Sequence, residues 1–256
     1  MRNSRFLIAV PCLVSSLIMP VGLSQTPAAR MPPDYRGVNT LVGGVFVTPV
    51  PNAPFSATVD IVSKETLPDG STNIRTTVSY IARDSAGRIY NERRRLVPTT
   101  FKGDPALLSF LIYDPNTHLS TFITPYTHIA HQRVLQQRQP QVQAANMQPD
   151  LLGPHAGGQL TKEEDLGEET VGNTPLRGIR KTWTVPATLS GTGKDVAIVD
   201  EYWYSPDLSV YLIVKHEDPR TGEQIVAVKD IDRSEPEASR FAIPSGYKVV
   251  DETPVP

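Results

Sequence analysis

Two histidines three residues apart, His128 and His131, have the spacing in this chain that is most typical of a metal site. Imidazole nitrogens bind zinc, and residues three apart share one face of a helix. A zinc site also needs a third ligand, and only the fold could bring His118 or His155 to it. No glutamate follows His128 in the way that the H-E-x-x-H motif requires. We therefore predict surface histidines, with no bound metal and no cofactor.

Nucleophilic and phosphate-binding motifs are incomplete in this sequence. Residues 190–194, SGTGK, resemble part of a phosphate loop, but the full motif needs glycine at position 188 and Ser or Thr after the lysine. The chain has Thr188 and Asp195 there, which favours a hairpin loop. No G-x-S-x-G motif occurs, and the single cysteine, Cys12, lies in a segment predicted to be removed. No catalytic residue is predicted, and the chain is not predicted to be an enzyme.

Charged residues form two further patterns. Asp200 and Glu201 are neighbours, so in a strand they point to opposite faces and cannot act as a catalytic pair. A local basic run consists of four arginines, Arg88, Arg93, Arg94 and Arg95. Anionic lipid headgroups or an acidic polymer would suit this run, and the acidic residues 163–169 offer a partner inside the same chain. A solvated strand face is the simpler interpretation, and exposed ion pairs contribute little stability.

Aromatic residues concentrate in and near the stretch 196–231. We predict four of them as ligand-binding residues: Trp183, Tyr202, Trp203 and Tyr211. Strand alternation places Trp203 on one side with Val199, and Tyr202 on the other side with Ile198. Trp203 and Tyr211 are expected to report on the core or ligand-binding face. Because both faces carry apolar area, the sheet is either covered on both sides or lines an apolar cavity, and both alternatives remain open.

The elements that must position these residues are antiparallel strands. The central stretch predicts three of them, at residues 196–204, 208–217 and 223–231, separated by turns rich in Pro, Asp and Gly. Alternation predicts further strands in the following ranges: 55–63, 72–83, 88–97, 107–113, 118–124 and 178–185. One helix is expected, over residues 126–139. The predicted fold is mostly β, a single curved antiparallel sheet or unclosed β-barrel of about ten strands with little helix.

Residues 1–24 are typical of a secretory signal, with two arginines before an apolar run and small residues before the cleavage point. Retention as a membrane anchor is the alternative, but Pro11 and Pro20 interrupt the apolar run. Cleavage removes two arginines and no acid, which changes the net charge from -2 to -4. That balance excludes nucleic acid as an expected partner. We predict a periplasmic or secreted protein that does not span the membrane after signal removal.

The mature chain divides into three predicted segments. Residues 25–54 are rich in Pro and Gly and predict a flexible N-terminal tether. Residues 55–250 form the antiparallel β domain, in which residues 140–160 predict a flexible surface loop. Residues 251–256 are a tail.

Two groups of motifs resemble known proteins. Residues 55–59, FSATV, and 82–88, ARDSAGR, are similar to uncharacterised secreted proteins of soil bacteria, of the acidobacterial type. Residues 201–208, EYWYSPDL, and 241–247, FAIPSGY, resemble the periplasmic lipoprotein-carrier superfamily. That second resemblance implies an unclosed β-barrel that holds a lipid or acyl chain. The carriers also have helices that plug the barrel, and here only residues 126–139 are available for that part.

Three functional hypotheses follow. The first is an exported cell-envelope binding protein that holds an apolar ligand or a lipidated partner on the concave face of a half-barrel. The alternative is a structural or protein-interaction module of the envelope, without a ligand cavity. The third is a hydrolase whose active site no motif marks. A shallow apolar groove would bind an acyl chain with about 0.8 kcal/mol per methylene.

Overall fold

The computed structural model describes residues 44–135, 155 and 157–254, and the predicted signal and most of the predicted tether and loop lie outside these residues. The described residues form one large curved, unclosed sheet of thirteen strands. The strands are β1 (Phe55–Thr66), β2 (Thr72–Arg83), β3 (Ile89–Arg94), β4 (Val97–Pro98), β5 (Leu107–Asp114), β6 (Leu119–Thr124), β7 (Ile129–Val134), β8 (Gln159–Val171), β9 (Thr174–Val185), β10 (Val196–Ser205), β11 (Val210–Asp218), β12 (Gly222–Asp232) and β13 (Lys248–Asp251). The predicted fold class is confirmed, and the count of about ten strands was approximate.

Neighbouring strands are mostly neighbours in sequence. The order across the sheet is β13-β7-β6-β5-β3-β2-β1-β12-β11-β10-β9-β8, with β4 beside β2. All pairs are antiparallel except β13 with β7, since short turns join each strand to the next and favour hairpins. The pairing of β1 with β12 joins the two halves of the chain into one sheet. Among the described residues, no helix combines the length and the hydropathy that a membrane crossing needs.

Helical structure within the described residues is limited to two short pieces, α1 (Ala187–Ser190) and a 3₁₀ helix at Ala238–Phe241. The predicted helix over 126–139 is wrong for its described part, because Ile129–Val134 is strand β7. The strand alternates from a fully buried Ala130 to a half-buried His131, and its apolar residues are too few for a helical stripe. The predicted strand 88–97 is divided, because β3 leaves β2 to pair with β5 and β4 returns to β2.

The two faces of the sheet are buried over different strands. One face, which we call the Val59 face, is buried in its centre by residues that are at most 3% exposed: Ala57, Val59, Ile61, Ile81, Tyr202, Val214, Val226 and Val228. The reverse side, the Tyr90 face, is buried over β3 and β5–β7. There Tyr90, Phe110 and Ile123 pack with Phe241 and Ile243 of the C-terminal segment. The sheet therefore has two cores on opposite faces.

The end of the predicted tether lies against the Val59 face. Val45 and Val47 are buried, and Val47 forms a β-bridge with Val210 of β11. Arg83 holds this segment in place, since its guanidinium donates to the carbonyl oxygens of Thr48 and Ala53 at 2.7 and 2.9 Å. Burial lowers the pKa of Arg83 to about 10.

The start of the predicted tail also belongs to the sheet. Asp251 is the last residue of β13, and the amide of Glu252 donates to the carbonyl of Gln132 at 2.7 Å. Described residues on both sides of the range 55–250 thus pair with strands of the sheet.

Candidate functional site

One row of residues on the Val59 face is buried at Ile81 and is half-buried or exposed at each later position across the sheet. Residues opposite one another in paired strands share a face, and the register runs through Ile81, Asn91, Leu111, Phe122, His131 and Val250. Ile81 is fully buried, whereas Phe122 on β6 is 47% exposed. We call the β5–β7 end of this row the open part, and the centre of the Val59 face the packed part.

A groove of about 290 Å³ lies on the open part. Leu111 and Phe122 line it from the strands, and Phe46 lines it from the segment that crosses the sheet. Phe46 is 62% exposed although its neighbours Val45 and Val47 are buried. Asn91 fixes the segment here by donating from Nδ2 to the carbonyl oxygen of Val45 at 2.6 Å. Two large aromatic side chains therefore flank a mostly apolar groove and remain accessible to solvent.

Arg93 is the cation that lines this groove. It stands two residues after Asn91 on β3, so both residues lie on the Val59 face. The next arginine, Arg94, points to the Tyr90 face and pairs with Glu92 at 2.7 Å. Arg93 forms no ion pair or hydrogen bond through its side chain with any residue that the structure describes. The groove therefore combines apolar walls with one available positive charge.

The four aromatic residues predicted to bind a ligand are divided among three environments. Tyr202 and Tyr211 lie in the packed part, only 3% and 6% exposed, with ring centroids 6.0 Å apart. Trp203 lies on the reverse side of β10 from Tyr202, as alternation predicted. None of these three lines the groove at Phe122. Their assignment as ligand-binding residues stays a prediction.

Trp203 on the reverse side belongs to a charge network around Glu201. Its Nε1 donates to Glu201 at 2.7 Å, and Lys215 and Arg180 pair with the same carboxylate at 3.0 and 2.9 Å. Burial opposes ionisation, but the three donors outweigh it and lower the pKa of Glu201 to about 2. Gly178 accommodates the indole, because a Cβ there would lie 2.7 Å from the ring.

Trp183, the fourth predicted residue, lies on the Val59 face at the β9 end of the sheet. It is opposite Ile198 and packs with Val185 and Val196 in a small apolar cluster. Its ring meets the ring of His155 edge-on, with centroids 5.4 Å apart. Its Nε1 is buried and has no hydrogen-bond partner among the described residues.

Beside Trp183 lies a buried cluster of two histidines and one carboxylate. His155 Nε2 and His216 Nδ1 each contact a different oxygen of Asp200, both at 2.7 Å. Asp200 and His216 face each other across β10 and β11, and Asp200 is fully buried. His155 reaches them from the turn before β8, where its carbonyl accepts from the amide of Gly158 at 2.8 Å. No sequence motif marks this cluster, because 45 residues separate His155 from Asp200.

The fold separates His128 and His131, whose spacing in the sequence is typical of a metal site. His128 precedes β7, and its ring is tilted against that of Tyr247 with centroids 5.1 Å apart, whereas His131 lies in β7 and pairs with Glu252 at 2.7 Å. Residues three apart in extended chain lie on opposite faces. His118 contacts Tyr113 at 3.4 Å, so neither it nor His155 joins the pair.

Comparisons with known proteins give structural likenesses only. No protein-family model and no curated relative matches this sequence. Among solved structures, it is similar to an uncharacterised conserved protein from Thermus thermophilus, with 12% identity, a TM-score of 0.41, and coverage of 78% of this chain and 91% of that one. A LolA superfamily protein from Nitrosomonas europaea shares 11% identity with a TM-score of 0.29, covering 75% and 91%. The lipoprotein LppX of Mycobacterium tuberculosis shares 11% with a TM-score of 0.27, covering 71% and 88%.

The carrier superfamily suggested by the second half of the sequence is thus among the structural neighbours. Since each of these TM-scores is below 0.5, the likenesses leave the function to be inferred from the residues of this chain.

Proposed function

We propose that this chain is an exported cell-envelope protein that binds an acyl chain with an anionic headgroup in the groove beside Phe46, Leu111 and Phe122. The observation that carries the proposal is the exposure of Phe46 and Phe122 on the open part of a face whose centre is a packed core. Large apolar side chains that flank an accessible groove are typical of binding sites rather than of solvated sheet faces.

The chemistry of the groove favours a lipid over a wholly apolar molecule. Phe46, Leu111 and Phe122 offer contacts to methylene groups, each of which contributes about 0.8 kcal/mol when it is buried. Arg93 stands at the same groove with its guanidinium available. An arginine beside an apolar site suits a phosphate or carboxylate headgroup, which it binds through paired hydrogen bonds. Ten fully buried methylenes would contribute about 8 kcal/mol, which is set against the entropic cost of association.

Export is the second part of the proposal. It is supported by the signal pattern predicted for residues 1–24, and lipids of this kind are available at the envelope. The envelope interaction module without a ligand and the hydrolase stay predictions.

The test is lipid binding by the mature protein, measured as displacement of a fluorescent fatty acid. We expect lysophosphatidylglycerol to compete at micromolar concentration and F122S to weaken it at least tenfold, because about 1.5–3 kcal/mol of apolar burial is lost. L160S is the matched control, since Leu160 is similarly exposed (46%) but lies on β8 at the opposite edge of the sheet. No displacement at millimolar lipid, or an equal loss in L160S, would contradict the proposal.

The headgroup preference has its own control. R93Q should weaken lysophosphatidylglycerol several-fold and leave zwitterionic lysophosphatidylcholine unchanged, because only the anionic headgroup uses the arginine charge. Equal effects on both lipids would show that Arg93 acts through packing. Native mass spectrometry of protein purified from its own envelope would then identify the lipid that is carried.

A further inference from the structure

We propose that His155, Asp200 and His216 bind a divalent transition-metal ion, of which Zn²⁺ is the best-suited example. The ligating atoms are His155 Nε2, His216 Nδ1 and the carboxylate oxygens of Asp200, and they all lie within 4.8 Å of one another. Two imidazoles and one carboxylate form a recurrent donor set for Zn²⁺ and Fe²⁺ in proteins. The site is separate from the lipid groove, which lies on strands at the other end of the sheet.

The burial of the carboxylate is the first argument for a cation. The side chain of Asp200 is 0% exposed, and those of His216 and His155 are 3% and 12% exposed. A buried carboxylate is costly unless its charge is compensated. Two neutral imidazoles that donate to Asp200 satisfy its oxygens, but they leave one negative charge in the interior. A divalent cation bound to His155 Nε2 and His216 Nδ1 would compensate this charge, with each neutral imidazole carrying its proton on the other ring nitrogen.

Neighbouring cations do not supply that compensation. Lys181 stands opposite Asp200 on β9, but no ion pair between them is present in the part of the chain that the structure describes. Arg220, which follows β11, is paired with Asp218 through Nη2 at 2.7 Å. No ion pair or hydrogen bond among the described residues brings a lysine or arginine to the carboxylate of Asp200, and a bound metal ion would supply the positive charge.

The buried N–H of Trp183 is the second, independent argument. Its Nε1 has no partner among the described residues, although its ring contacts His155. Zinc held by three protein groups keeps a further position for water or an anion. A buried donor beside the site can hold such a molecule, and a buried donor without a partner destabilises the fold. Val185, Val196 and Ile198 keep this end of the sheet apolar, which favours tight coordination.

The backbone prepares His155 for this role. Gly157 has φ +74, and a Cβ there would lie 3.0 Å from Leu189 of α1, so the turn packs closely on the loop before β10. His216 and Asp200 are fixed by the β10–β11 register. His155, which lies in a turn, thus meets Asp200 and His216, which are held by two paired strands. Of the three, His155 is the residue that can adjust its position when a metal binds.

The test is titration of the EDTA-treated mature protein with Zn²⁺ by calorimetry, and with Co²⁺ by visible absorption. We expect one Zn²⁺ per chain, a dissociation constant below about 1 μM, and the absorption bands of low-coordinate Co²⁺. H155Q should weaken Zn²⁺ about 100-fold or more, since it removes a ligand that lies outside the sheet. D200N should do the same, and circular dichroism checks that each variant is folded.

H131Q is the matched control, because His131 also contacts a carboxylate at 2.7 Å but its side chain is 36% exposed. It should bind Zn²⁺ as the wild type does. W183F should retain Zn²⁺ and shift the Co²⁺ spectrum, because the donor to the fourth ligand is lost. Absence of Zn²⁺ binding at millimolar concentration, or Zn²⁺ binding of unchanged affinity in H155Q, would overturn the proposal.

Discussion

Phe55 and Phe46 lie nine residues apart and have opposite environments on one sheet. Phe55 is fully buried in the packed part of the Val59 face, with the guanidinium of Arg83 5.0 Å from its ring centroid. Phe46 is 62% exposed and lines the groove of the open part. Both are apolar residues of the same type, so their burial depends on what covers each part. The packed part stabilises the fold, and the open part offers its apolar surface to a partner.

The largest loss of stability is expected for a substitution in the packed part. F55A should lower the free energy of unfolding by about 3–5 kcal/mol, because the removed ring leaves a cavity among residues that cannot fully collapse. Urea denaturation followed by circular dichroism measures this change. A loss under about 1 kcal/mol would mean that this part is as loosely covered as the groove.

A smaller loss of stability is expected on substitution of Arg83, which joins residues 44–53 to the sheet. R83M should lower stability by about 2–3 kcal/mol, since two carbonyl oxygens, of Thr48 and Ala53, lose their donors. It should also raise proteolysis at residues 44–53, because the segment is no longer held. K102M, at an exposed lysine, is the control and should change neither quantity. Unchanged proteolysis in R83M would show that Val45 and Val47 hold the segment alone.

Glu201 tests the reverse side of the packed part. E201Q should lower stability by about 1–2 kcal/mol, because Lys215 and Arg180 lose their shared anion while both remain partly accessible to water. The fluorescence of Trp203 should also shift, since its indole donates to this carboxylate. The unfolding transition is followed by both Trp fluorescence emission and far-ultraviolet circular dichroism. A loss of stability as large as that expected for F55A would mean that the Glu201 network contributes as much to the free energy of unfolding as the apolar core does.

The smallest effect on stability is expected in the open part. F46A should change the free energy of unfolding by about 0.5 kcal/mol or less, because the side chain is largely in water before and after folding. The same variant should weaken acyl-chain binding in the displacement assay. If F46A were as destabilising as F55A, Phe46 would be a core residue and the groove would have no available aromatic wall.

Much of the sheet could be predicted from sequence because alternation and turn residues are local signals. β1, β2 and β10–β12 alternate clearly and end at Pro, Asp or Gly. β8 was missed, since both its faces are exposed and its charged residues show no period of two. β7 was assigned to a helix because six residues with one fully buried position give too weak a pattern.

The candidate sites were harder to predict than the strands. His155, Asp200 and His216 meet only after β8–β11 have paired, and 45 residues separate His155 from Asp200. Sequence spacing instead favours His128 and His131 as the candidate metal ligands, and the fold separates them. The groove at Phe122 also has no sequence signal, because an exposed aromatic residue in an alternating strand has the same pattern as a buried one. The two cases differ in which residues pack over the aromatic ring, and this depends on the register of strands that are distant in the chain.

The acidic strand β8 forms one edge of the sheet, and no other described strand pairs with its outer side, which has a consequence for association between copies of the chain. A long unpaired edge is a template for another strand. Most residues of β8 are exposed, and five of them are acids: Glu163, Glu164, Asp165, Glu168 and Glu169. Two copies that met along this edge would align like charges at short range. Repulsion between these acids should therefore oppose the pairing of two copies along β8.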